Sequence, residues 1–310
     1  MEKKPVSRNK RASLSMAAAM AIFGTIGIFR RYIPLPSGVI ACVRGAIGAA
    51  FLLCLLALRR EGFCWAGVRA QWKRILLSGV LLGCNWMLLF EAYEYTSVST
   101  ATLCYYMAPV ILILISPLVF EERLSCGKLL CALAAVAGMT LVSGIWNAGA
   151  IGADGLRGIL FGLGAAALYA GVVVLNKKIR RIPGYERTIL QLATAAAAML
   201  PYALLSQRAN AAALTPQALG MLALVGVVHT GLAYALYFGS MEKLAAQSIA
   251  LMAYLDPIVA ILLSALLLHE PMGVAQAAGA VLVLGAALGN ELLSARGPAA
   301  KGRNGEPPHA

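Results

Sequence analysis

The sequence predicts an all-α, polytopic membrane protein: about ten transmembrane helices arranged as two inverted five-helix repeats. Three observations predict it. Hydrophobic residues make up 60% of the 310 and charged ones only 13%, against about 45–50% and about 25% in an ordinary soluble domain. The charges fall in short clusters between apolar stretches of roughly 20 residues, the length a helix needs to cross hydrocarbon. Finally, Gly83, Phe90, Glu94, Tyr106, Pro109, Ile113, Ser116 and Glu122 return as Gly231, Phe238, Glu242, Tyr254, Pro257, Ile261, Ser264 and Glu270, each exactly 148 positions later. An ungapped repeat of half the chain, written in apolar residues, points to two related bundles with a site between them.

The basic segment 1–11 precedes span one, residues 12–29, which is too long and lacks a convincing cleavage point for a secretory signal, so it reads as an uncleaved anchor. Span two, residues 37–58, is uniformly apolar apart from Arg44 and ends on the basic stretch 59–74. Span three, residues 75–93, opens the repeated block and carries Asn85, Trp86, Phe90 and Glu91. Span four, residues 98–120, is interrupted by Pro109 and closes on Glu122, and span five covers residues 127–146. A Gly- and Ala-rich linker, 147–155, separates the first repeat, 12–146, from the second, 156–293. Span six, residues 156–175, holds Gly162, Gly164 and Gly171, small residues that let helices approach closely. Span seven, residues 188–205, follows the basic stretch 177–187. Span eight, residues 219–238, repeats span three, and span nine, residues 246–268, repeats span four with Pro257 and closes on Glu270. Span ten, residues 274–293, precedes a tail, 294–310, whose Gly, Pro and charge predict disorder.

Corresponding spans of the repeated block lie five apart. Five is odd, so the second copy crosses the membrane in the opposite sense. With both termini inside, the inner segments hold 21 Lys and Arg while the outer loops hold only Arg30, Arg31, Arg157 and Arg208, as the positive-inside rule requires of a multi-pass plasma-membrane or inner-membrane protein with cytoplasmic termini. The formal charge of +13 therefore reports topology and attraction to anionic lipid, not a nucleic-acid partner. All seven cysteines lie in the first half without a close C-x-x-C pair, which argues against disulfides and a metal site and for small packing residues.

Residues 95–124 (YTSVSTATLCYYMAPVILILISPLVFEERL) and 244–272 (LAAQSIALMAYLDPIVAILLSALLLHEPM) resemble the two signature blocks of EamA-type transporters of the drug/metabolite transporter superfamily. The resemblance extends to Arg44, the central Pro109 and Pro257, and the closing Glu122 and Glu270. It implies ten helices, a central cavity and a secondary carrier working by alternating access, without cofactor or enzymatic activity. No G-x-x-x-x-G-K-[ST] loop is present to cradle ATP phosphates, so energy comes from protons, another gradient or a counter-substrate. The substrate class expected first is an amino acid or related amine, moved outward; the alternatives are an organic-cation uptake carrier and a non-transporting membrane scaffold or sensor. Oligomeric state has no signature here.

Candidate site residues follow from the cost of polarity in hydrocarbon. Arg44 lies mid-span, where an unpaired charge costs from about 2.5 to 10 or more kcal/mol, so it faces either a wet cavity or a partner. It would hold a substrate carboxylate, or pin span two through an internal ion pair. Asp256, whose repeat mate is the neutral Ala108, is either the partner in a static Arg44–Asp256 pair, a cap on a kinked helix, or a coupling acid that exchanges protons as the cavity opens to either side. Glu91 corresponds to Gly239 and is a second coupling candidate, or a solvated helix end paired with Arg30 or Arg31. Trp86 and Phe90 on one half, Tyr234 and Phe238 on the other, and the pair Tyr106 and Tyr254 form two aromatic faces suited to an organic cation, to the apolar part of an amino acid, or to plain packing. Asn85 and Tyr105 add hydrogen-bonding groups, whereas His229 reads as structural. Glu122 and Glu270, recurring at span ends, read as architectural.

Overall fold

The computed structural model describes residues 6–60, 62–120, 126–143, 152–179, 182–205, 215–241, 243–244, 249 and 252–295. Glu122, Glu242, most of the 147–155 linker and nearly all of the 294–310 tail lie outside them. Every regular element among the described residues is helical. The helices are α1 (Val6–Gly24), α2 (Ile26–Arg31), α3 (Ser37–Leu58), α4 (Trp65–Tyr95), α5 (Val98–Tyr105), α6 (Ala108–Phe120), α7 (Cys126–Ser143), α8 (Ala153–Lys178), α9 (Gly184–Leu205), α10 (Pro216–Leu224), α11 (Ala233–Met241), α12 (Leu255–Leu267) and α13 (Val274–Ala295). A π-helical segment, Val225–Leu232, joins α10 to α11. Among the described residues seven stretches are long and apolar enough to cross a membrane, and three shorter apolar helices, Cys126–Val142, Leu255–Leu267 and Val274–Gly289, complete a ten-span order. Large apolar side chains such as Leu118, Val274 and Val281 point outward, as lipid permits and water would not.

Departures from ten plain helices fall at particular residues. The helix of span three begins at Trp65, ten residues before its apolar run, and crosses the basic interfacial stretch with exposed Trp65 and Trp72 through a kink at Gln71, whose φ of −130° and ψ of 18° are not helical; tryptophan favours that boundary. Span four breaks between α5 and α6 at Tyr106, and span nine breaks at Tyr254, the same repeat position. In each case a proline, Pro109 or Pro257, sits in the first turn after the break, where its missing N–H is tolerated. Span one breaks at Thr25, whose hydroxyl donates to Ile22 O at 2.8 Å.

These breaks meet. A Cβ added to Gly24 would overlap the Asp256 carbonyl and the Val259 side chain, so a glycine is needed where span one crosses the broken part of span nine. The halves interlock as well: α4 packs on α8 and α9, α3 packs on α9 and the π segment, and α7 packs on α13. Gly138 and Gly279 let the last pair touch through backbone. Of the span-six glycines, Gly162 meets Cys104, while Gly164 and Gly171 face Leu88 and Leu81 at looser separations.

Candidate functional site

Between the two halves lies a cavity of about 690 Å³. Spans one to four, Lys128 in the first turn of span five, and spans six to nine all contribute to its wall. Its lining runs from Arg44, Tyr93 and Thr102 to the basic side chains of Lys128, Lys177 and Arg187, which we read as its mouth. None of Arg30, Arg31, Glu94 or Glu270, at the opposite face, reaches it.

Arg44 is placed by α3 and by the π segment facing it. Its Nε donates to Thr230 Oγ1 at 3.0 Å, and the Thr230 hydroxyl in turn donates to Val225 O, five residues back, at 3.2 Å. The i−5 spacing is that of the π turn, so this local geometry aims the Thr230 oxygen. The guanidinium carbon stands 3.9 Å from the Trp86 ring centre and 5.4 Å from that of Phe90. Both are cation–π distances. Among the described residues Arg44 has no acidic partner, and no ion pair joins it to Asp256. Only Nε bonds another described residue, which leaves the terminal nitrogens of a charged fork at the cavity wall.

Asp256 lies in the first turn of α12 and lines the same cavity. Tyr106, from the matching break in span four, shares this part of the wall. The Tyr106 hydroxyl also lies 3.4 Å from Ala253 O. That carbonyl is four residues before Pro257, the acceptor that proline deprives of its helical donor. The Tyr254 carbonyl, one residue nearer the proline, accepts from Ile258 N at 3.3 Å.

Of the residues singled out in the sequence, Arg44, Trp86, Tyr105, Tyr106, Tyr234, Phe238, Tyr254 and Asp256 line the cavity. Tyr234 and Phe238 stack with centroids 6.0 Å apart at 17°. Phe90 is fully buried behind Arg44. Asn85 is absent from the wall because its Nδ2 donates to Ala165 O at 2.6 Å, tying span three to span six. Glu91 also lies off the cavity, near the buried Arg30, whose ion-pair partner is Glu94 at 2.9 Å. His229 Nε2 meets Thr25 Oγ1 at 2.8 Å; since that hydroxyl's proton is used on Ile22 O, the histidine is the donor, and the pair holds the span-one break against the π segment.

The structure adds residues the sequence did not flag. Tyr93, Thr102 and Tyr169 share the wall with Gln191 and Asn176. Gln191 Nε2 donates to Asn176 Oδ1 at 2.7 Å and to Ser78 Oγ. A signal for two of them existed: Tyr169, Val172, Val173 and Asn176 are spaced as one helical face.

The comparisons with known proteins agree with this architecture. The model of the EamA-like transporter family matches residues 10–144 and again 156–290. The chain is 30% identical over 275 residues to the uncharacterized transporter YxxF of Bacillus subtilis strain 168, covering 85% of each chain. It is 30% identical to an uncharacterized transporter of Archaeoglobus fulgidus over 64% of this chain and 68% of that one. A solved protein crystal structure superimposes with a TM-score of 0.64 over 92% of this chain and 98% of the other, at 21% identity, a likeness of fold.

Proposed function

The chain belongs to the EamA-like transporter family, and from that premise we propose that it is a secondary carrier of small zwitterionic metabolites of the amino acid class, exporting them by alternating access. One observation carries the proposal: Arg44 is buried without an acidic partner among the described residues, yet lines the same cavity as Asp256. A buried charge without a counter-charge is costly. A carboxylate that accepts a bidentate hydrogen bond from the guanidinium offsets that cost each time substrate loads. Asp256, with Tyr106 beside it, offers the opposite charge to an ammonium group, or takes up a proton when the ammonium leaves.

The aromatic set supports the same reading over organic-cation uptake. The faces of Trp86 and Phe90 are already engaged by Arg44, so half of the aromatic cage is occupied by the protein's own cation. The remaining rings, Tyr105, Tyr169, Tyr234 and Phe238, are left for the apolar part of a solute. The positive-inside rule places the Lys128, Lys177 and Arg187 mouth in the cytoplasm. On this reading the basic mouth is the loading side of an exporter.

Flux across liposomes tests the proposal. Purified protein, preloaded with a pool of labelled amino acids and given a pH gradient, is expected to release some of them saturably. Release of organic cations alone would favour the uptake carrier, and no flux of amino acids, amines or organic cations would favour a membrane scaffold.

A further inference from the structure

We propose that Arg31 and Glu270, seconded by Arg30 and Glu94, form an ionic latch that closes the cavity at the face opposite its basic mouth. The proposal rests on the alternating-access reading above, and its test needs no substrate. Arg30 and Arg31 are two of the few cations that the charge rule leaves on the outer side, and the cavity chemistry does not use them.

Both sit on α2, the six-residue helix beyond the Thr25 break, so they ride on a piece set off from the rest of span one. Arg31 Nη2 meets Glu270 Oε1 at 2.8 Å and Thr96 O at 3.3 Å. Arg30 Nη2 meets Glu94 Oε1 at 2.9 Å. Glu94 ends span three in the first repeat, and Glu270 follows span nine in the second, so this short helix is tied to both halves at once.

Glu270 is the centre of the arrangement. Its Oε2 accepts from Val98 N at 2.9 Å and from Ser264 Oγ, and Ser99 Oγ donates to Ser264 Oγ at 2.8 Å. The carboxylate therefore fastens the start of span four to the end of span nine, the two broken spans. The space beside it is only about 10 Å³, against about 690 Å³ on the other side of the breaks. A carrier needs such a closure to be strong enough to exclude solute and weak enough to release. Partly exposed ion pairs meet both conditions, since water and salt screen them.

Cysteine accessibility tests the latch. All seven native cysteines are replaced, and Ala260→Cys, on the cavity wall of α12, serves as reporter for a membrane-impermeant maleimide in vesicles of either orientation. With the latch intact, labelling is expected from the basic-mouth side and slow from the other. Arg31→Gln is expected to raise labelling from the far side several-fold and lower it from the mouth side. Glu94→Gln, altering a half-exposed side chain, is expected to do the same more weakly, and stands as the deciding variant if Arg31→Gln fails to fold. Unchanged rates on both sides, or equal increases on both sides from a loosened fold, would overturn the proposal. Absence of amino acid flux in the same preparation would count against the proposed substrate and leave the latch result standing.

Discussion

Arg44 and Gln191 stand 147 residues apart in the second spans of the two repeats, and their surroundings are alike in plan and opposite in chemistry. Each is held across the molecule by a hydroxyl from the third span of the other repeat: Arg44 by Thr230, Gln191 by Ser78. Gln191 finds a second partner in Asn176, so the donors of its amide nitrogen are spent within the protein. Arg44 finds aromatic faces and no carboxylate among the described residues. One scaffold thus carries a satisfied joint on one side and an unfilled charged fork on the other. The difference teaches where binding energy is available, because a neutral amide with its partners gains little from a ligand, whereas a desolvated cation gains two charge-assisted hydrogen bonds.

The largest effect that would break this comparison is expected at Arg44. Arg44→Gln, which gives the charged node the side chain of its neutral mate, should weaken substrate binding by about 100-fold, the equivalent of about 3 kcal/mol. Liposome flux alongside a melting curve checks it: normal transport by a folded Arg44→Gln protein would mean that the two nodes do the same job. Next comes Asp256, present only in the second repeat. Asp256→Asn should remove the response to a proton gradient while leaving substrate-for-substrate exchange, measured as counterflow on the same preparation. Loss of both modes together with folded protein would assign Asp256 to structure.

Gln191→Ala should be the milder change. Its loss leaves Asn176 and Ser78 short of a donor, so a fall in stability of about 1–2 kcal/mol is expected with flux within about threefold. A chemical-denaturation midpoint and an initial rate separate the two outcomes. The smallest expected effect is topological. Cysteines placed singly in residues 152–155 and at Lys178, in a cysteine-free background, should label from opposite sides of the membrane without loss of transport, and labelling from one side would contradict the inverted repeat.

Much of this plan was legible in the residues. The constant spacing of 148 puts Tyr106 and Tyr254, where the two spans break, at equivalent positions, and the Ala108–Asp256 mismatch marks the asymmetric acid. Proline chemistry was legible too, since its missing donor has a fixed reach along the helix. Other features carry no comparable signal. The π segment differs from the matching stretch of span three, residues 77–84, which stays α-helical. Its close packing explains part of this, because Gly226 lies on Ile47 and Gly231 on Phe51 of span two, contacts set by tertiary structure alone.

Tyr93 and Tyr169 were missed for a different reason. In a bilayer a tyrosine facing lipid near the interface and one facing a cavity read the same, since apolar periodicity no longer separates inside from outside. Asn85 shows the converse. Polarity in mid-span suggested a binding role, yet the amide is bonded to a backbone carbonyl on span six, and no local pattern announces which carbonyl will arrive there.

The most direct measurement is ligand-induced thermal stabilisation of the purified protein and of Arg44→Gln, using amino acids and their decarboxylated amines side by side. A substrate held through its carboxylate at Arg44 should raise the melting temperature of the native protein as the amino acid and not as the amine, and the shift should vanish in Arg44→Gln. Stabilisation by the amine as strong as by the amino acid, or a shift that survives Arg44→Gln, would contradict the account.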